Sequence, residues 1–139
     1  MINVLISSDS RYEVDKNFLV QVARSWLEGK RLKGKIEISI SIVGDRAIRG
    51  LNRKYLNRDK TTDVLSFPQE DTTPSRFVKE QTKSAGFVRL PDKVLRLGDI
   101  IISYPQALAQ AVETGTPIEE ELQVLVEHGI NHLLGIHHE

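Results

Sequence analysis

Apolar residues alternate with polar ones in one short stretch and recur at helical spacing in several others. Ile36, Ile38, Ile40 and Ile42 are separated by Glu37, Ser39 and Ser41, the pattern of a strand with one buried face. Ile2 to Ser7 is a second strand, closed by the turn-forming Ser8-Asp9-Ser10. Between them Val14, Phe18, Val22 and Trp26, joined by Leu19, Ala23 and Leu27, predict a helix over 14–28, with Gly29 and Gly34 breaking the chain afterwards. Asp45 is placed to cap a second helix, with Ile48, Leu51 and Tyr55 on its inner face. Thr62 to Phe67 reads as a third strand stopped by Pro68, and Leu97 to Ser103 as a fourth, through Ile100-Ile101-Ile102.

Ser103 can cap a third helix, with Pro105 in its first turn and Gly115 at its end. Thr116-Pro117-Ile118-Glu119 has the form of a capping box, with the proline at the first helical position. The helix it opens carries Leu122, Leu125, Val126, Gly129 and Leu133 on one side. Residues 69–96 are polar and weakly periodic, which suits a functional lid, a hairpin or a mobile insertion. Strands that precede and alternate with helices predict a mixed α/β or α+β class.

Composition narrows this little. The 139 residues leave room for one domain, 1–139, with a single core. An apolar fraction of 40% and a charged fraction of 27% are those of ordinary globular proteins. Nineteen basic and nineteen acidic residues cancel, so any attraction to nucleic acid has to be local. There is no membrane-length apolar run, and Met1-Ile2-Asn3-Val4-Leu5-Ile6 lacks the basic leader of a signal peptide, so a cytoplasmic protein with no membrane partner is expected. With no cysteine, a metal would have to be held by His, Asp or Glu.

All four histidines lie between 128 and 138. His128 and His132 are one helical turn apart, about 40° around the axis, so both imidazoles can reach one ion. Gly135 can end the helix through a left-handed residue and let the chain bring His138 back to the same point. The pattern H-x3-H-x2-G-x2-H is zincin-like, and is shared with metzincin proteases. Three imidazoles leave one tetrahedral position for water, and an all-histidine set favours zinc, one ion per chain. A protease would carry a glutamate general base after the first histidine, where this chain has Gly129. Glu127 points about 100° away around the helix and is a poor substitute. Glycine at 129 leaves the floor of the site open and makes peptide hydrolysis a weak reading.

Three motifs follow one another along the chain: Thr62-Asp63-Val64-Leu65-Ser66-Phe67-Pro68, Leu97-Gly98-Asp99-Ile100-Ile101-Ile102-Ser103 and His128-Gly129-Ile130-Asn131-His132-Leu133-Leu134-Gly135-Ile136-His137-His138. Together they resemble the YbeY family, bacterial metal-dependent endoribonucleases of ribosomal RNA maturation. The resemblance implies an α+β fold, a small mixed four-stranded sheet packed by helices, with the metal-binding helix near the C-terminus. It also implies zinc held by His128, His132 and His138, and single-stranded RNA as substrate. The implied task is trimming the 16S 3′ end of an rRNA precursor and quality control on the small ribosomal subunit. Where the family has an aspartate before the last histidine, this chain has His137, either an alternative ligand or the loss of a contact that supports the ligands. Asn131 stands in place of a leucine. The family's arginine after the tyrosine equivalent to Tyr55 is replaced by Leu56, so Arg58 or Arg53 would take the catalytic role.

Arg46, Arg49 and Arg53 form a basic stripe on the second helix, which Lys54, Arg58 and Lys60 extend toward the third strand. Arg46, Arg49 and Lys60 are the expected phosphate contacts, together with Ser66 at the end of its strand. Asp99 could orient a ligand histidine or pair locally. Phe67, Phe77 and Phe87 are the aromatics that could stack bases, although core or lid packing suits them too. Two other functions fit the same residues: a generic metal-dependent hydrolase of another substrate, and a ribosome-associated RNA-binding factor whose metal is structural. In the latter, His137 or Glu139 would close the coordination shell.

Overall fold

The computed structural model describes residues 1–69 and 94–135. The polar stretch expected to act as a lid or hairpin lies largely outside them, as do Phe77, Phe87, His137, His138 and Glu139. In chain order the elements are β1 (Ile2–Ser8), α1 (Lys16–Glu28), β2 (Lys35–Val43), α2 (Asp45–Leu56), β3 (Val64–Pro68), β4 (Val94–Ser103), α3 (Tyr104–Thr114) and α4 (Ile118–Leu133).

The strands form one mixed sheet in the order β1-β2-β4-β3. β1 and β4 run parallel to β2, and β3 runs antiparallel to β4 as the last strand of the sheet among the described residues. β2 occupies a central position because it is apolar at every second residue. Ile36, Ile38, Ile40 and Ile42 are each no more than 1% exposed, and each contributes roughly 1.5 to 3 kcal/mol by leaving water. Against that face pack Leu19, Ala23 and Leu27 of α1 and Leu122, Val126, Ile130 and Leu133 of α4, with Ile100 and Ile102 beside them on β4. The intervening residues of β2 lie on the other face, where Glu37 accepts from Asn3 of β1 and Arg96 of β4.

β3 is gripped on both faces. Ser66 points to α4, donating its hydroxyl to the Gly129 carbonyl at 3.4 Å. Its neighbour Phe67 points the other way and meets Tyr55 of α2 edge to face, ring centroids 5.5 Å apart. α2 and α4 therefore flank the same edge strand from opposite sides. Backbone bonds anchor both ends of β3, from Ser103 N to the Asp63 carbonyl and from Gln69 N to the Leu97 carbonyl.

Two helix starts differ from expectation. Asp45 is not the cap of α2: Gly44 holds that position in an extended conformation, its carbonyl accepting from Ile48 N. The Asp45 carboxylate is drawn instead to Ser103 Oγ (2.7 Å), Thr61 Oγ1 (3.1 Å) and Gln106 Nε2 (3.2 Å). At α4, Pro117 is the cap residue and Thr116 makes no capping box, its hydroxyl pairing with that of Thr114 at 2.9 Å. Glu119, Glu120 and Glu121 in the first turn complement the helix dipole there. The inner face of α2 also differs: Ile48 and Asn52 are buried while Tyr55 is 58% exposed.

Candidate metal centre and nucleic-acid interface

α4 brings His128 and His132 together on its exposed face, ring centroids 4.5 Å apart. The helix ends at Leu133, and Gly135 takes a left-handed conformation (φ 75°) with its N–H on the His132 carbonyl. His138 lies outside the described residues. Among the described residues no three His, Asp or Glu side chains converge on one point. The two imidazoles are thus the donors in view. Both are exposed nitrogen donors one turn apart, a set that suits zinc.

What holds this helix in place lies beneath the histidines. Gly129 does not form an open floor, as its sequence position suggested; it is buried against β4. A Cβ there would sit 2.8 Å from Ile100 Cγ2 and 2.9 Å from Ile100 Cδ1, so glycine is what allows α4 to lie so close to the strand. A second close approach occurs at Gly98, with φ of 137°, where β4 is bulged against β2. A Cβ on Gly98 would overlap the Phe67 carbonyl oxygen and come within 3.0 Å of Leu133 Cδ2. Strand β3, the β4 bulge and the end of α4 meet at that point.

On the opposite side of α4 the Trp26 indole N–H donates to Asn131 Oδ1 at 2.9 Å, tying the helix to α1. Asn131 is only 5% exposed. Glu127 also faces α1: it accepts from Gln123 Nε2 at 3.1 Å and shares a 250 Å³ cavity with Trp26, Phe18 and Val22. Its carboxylate is committed to that side of the helix. Sequence reasoning missed the Trp26–Asn131 pair. The available signal was a polar residue at a motif position otherwise apolar, with a lone tryptophan on a neighbouring amphipathic helix.

The cationic residues gather around α2 instead. Arg46, Arg49 and Lys60 line one cavity of 520 Å³ with Asp45, Asp59 and Thr61. Arg49 is held by Asp59 at 2.9 Å, and this hydrogen bond and charge depress the Asp59 pKa. Burial pushes the Asp45 carboxyl upward, but the donors Ser103, Gln106 and Thr61 outweigh it and keep the group below the usual carboxylate range. Arg53 and Arg58 are both exposed on the α2 side. The loop bearing Arg58 and Lys60 is shaped by Asn52: its carbonyl accepts from Arg58 N, and its side-chain amide donates to the Lys60 carbonyl at 3.0 Å. Asn57 turns the chain there through a left-handed conformation. Ser66 bridges toward the histidine helix, its hydroxyl directed at a backbone carbonyl. Asp99 is exposed on β4 opposite Phe67.

A mixed four-stranded sheet with four helices among the described residues, one bearing paired histidines beside a conformationally special glycine turn, defines an α+β protein with a candidate metal site. A family model described as endoribonuclease YbeY matches residues 5–139. A protein named endoribonuclease YbeY from Dehalococcoides mccartyi is 38% identical over 139 residues, spanning 99% of this chain and 84% of that one. A protein of the same name from a Sulfurihydrogenibium species is 40% identical over 127 residues, 91% of this chain and 72% of its own length. A solution structure of a Thermotoga maritima protein covers all of this chain, and 75% of that chain is matched, with a TM-score of 0.54 and 26% identity. The chain belongs to the endoribonuclease YbeY family. Among the described residues no helix is long and apolar enough to cross a membrane.

Proposed function

We propose that this chain is a zinc-dependent endoribonuclease that cuts single-stranded RNA during ribosomal RNA maturation, with a zincin-like arrangement of ligands on α4. The observation that carries the reading is the exposed His128–His132 pair in a chain of the YbeY family. His128 and His132 would hold the ion, with His138 as third ligand. When bound, zinc supplies Lewis acidity toward a phosphoryl oxygen and toward water.

The chain's own groups supply the remainder. Arg46, Arg49 and Lys60 neutralise phosphates of the incoming strand and fix its path along α2. Arg53 and Arg58 present exposed guanidinium groups that offset the extra negative charge developing on phosphorus. Ser66 keeps the edge strand against α4, so the two sets of residues hold a fixed relation. A peptide substrate is disfavoured because Gly129 has no proton acceptor and Glu127 is engaged on the α1 side.

Zinc content and cleavage of a single-stranded RNA oligomer, wild type against His132→Ala, test the proposal. The variant is expected to lose both. Undiminished cleavage by protein stripped of metal would sink it. In cells whose sole copy carries His132→Ala, 16S RNA with an untrimmed 3′ end should accumulate.

A further inference from the structure

The substrate strand needs more than phosphate contacts if bases near the cut are to be held in place, and α2 offers a fitting surface. Tyr55 and Leu56 are the two large apolar side chains exposed on that helix, at 58% and 47%. A tyrosine so exposed buries little area, yet its orientation is set. Phe67 meets it edge to face at an interplanar angle of 64°, and Lys54 Nζ lies 5.2 Å from its ring centroid. The exposed Arg53 and Arg58 belong to the same stretch of chain, but Lys54 is the cation placed at the ring. An oriented, exposed aromatic ring with a cation beside it is the arrangement by which proteins stack bases of single-stranded nucleic acid while pairing with the flanking phosphates.

The position relative to the histidines is equally telling. Phe67, which orients Tyr55, directly follows Ser66, whose hydroxyl reaches the carbonyl of Gly129, the neighbour of His128. Tyr55 and the histidine pair therefore stand on the two sides of the last strand of the sheet. We infer that Tyr55 is a base-stacking residue for single-stranded RNA, holding an unpaired base on the α2 side of β3 while the strand passes the edge toward His128 and His132. The Lys54 ammonium at the ring, with no carboxylate paired to it among the described residues, favours a polyanion over an apolar protein partner. Stacking is indifferent to base identity, so the platform selects unpaired over paired RNA without selecting a sequence. This inference rests on the ribonuclease reading above.

The test is steady-state cleavage of an RNA oligomer by the metal-loaded protein, using wild type, Tyr55→Ala and Tyr55→Phe, with oligomers carrying one abasic nucleotide at successive positions. Tyr55→Ala should raise KM about ten-fold, equivalent to about 1.4 kcal/mol, with zinc content unchanged. Tyr55→Phe should restore the wild-type value. One abasic position should cost wild type the same factor and cost Tyr55→Ala nothing further. Equal KM for wild type and Tyr55→Ala overturns the inference. So does a loss in Tyr55→Ala that no abasic position reproduces, which would point to a protein partner or a packing role. Absence of cleavage by wild type would instead overturn the ribonuclease reading on which the inference stands.

Discussion

The indole N–H of Trp26 and the side-chain oxygen of Asn131 are 2.9 Å apart, a bond that joins α1 to the helix carrying His128 and His132. The bond is part-buried, with Asn131 only 5% exposed, so each partner answers for much of the other's desolvation. Trp26→Phe should cost about 1 to 2 kcal/mol, and Asn131→Leu a comparable amount by stranding the indole N–H. The double variant should cost clearly less than the sum, because both polar groups are gone. Urea unfolding of the four proteins measures the coupling; strict additivity would mean the bond contributes nothing.

Gly129→Ala should be harmful although alanine is the better helix former. Its methyl would enter the space of the Ile100 branch carbons, which belong to a fully buried side chain and have nowhere to go. A loss of about 1 to 3 kcal/mol is expected from overpacking. α4 should also move off the sheet, so zinc affinity should fall along with the melting temperature. A stabilised variant with unchanged zinc binding would contradict this account.

Asp45 gives stability a defined acid dependence. Its folded-state pKa is depressed by Ser103, Gln106 and Thr61 against the opposing effect of burial. The unfolded chain therefore binds its proton first as pH falls. The stabilisation is fully present above the ordinary aspartate range, near pH 4, and is lost as pH drops through the lower folded value. Asp9, held at about 2 chiefly by the Arg11 side chain, contributes in the same direction. Asp45→Asn should be less stable than wild type at pH 7, and the gap should narrow as pH falls below about 4. A gap that stays constant would remove Asp45 from the titration.

Salt should separate the cations of the α2 cavity. Arg46→Ala and Lys60→Ala should each weaken binding of single-stranded RNA and flatten the plot of log affinity against log salt by about 0.7. Arg49 is already paired with Asp59, so Asp59→Asn should act in the opposite sense, tightening binding and steepening the plot. Fluorescence anisotropy across a salt series reads both. Slopes indifferent to all three substitutions would take the cavity out of the RNA path.

The strands were legible because their signal is local: four alternating isoleucines cannot be reconciled with any element but a half-buried strand. The histidine helix and its glycine turn were legible for the same reason, since the 3.6-residue repeat and the left-handed φ at Gly135 depend on neighbours in sequence. Asp45, Asn52, Tyr55 and Trp26 were misread or missed because distant residues decide their roles. Asp45 has cap chemistry, but Ser103 and Gln106, some sixty positions away, compete for its oxygens. Tyr55 has the right spacing for an inner face, yet Asn52 occupies it to hold the Lys60 carbonyl. Gly129 was explained by what a protease would need there, when the deciding neighbour was Ile100 across the sheet.

Strand β3 is only five residues long, and its two sides do different work. Because side chains alternate, sliding it by a single position against β4 would exchange Ser66 and Phe67 between α4 and α2. The hydroxyl would then face the tyrosine and the phenyl ring would press into the histidine helix, dismantling both surfaces in one move. The backbone bonds at Asp63 and Gln69 act as stops at either end of that travel.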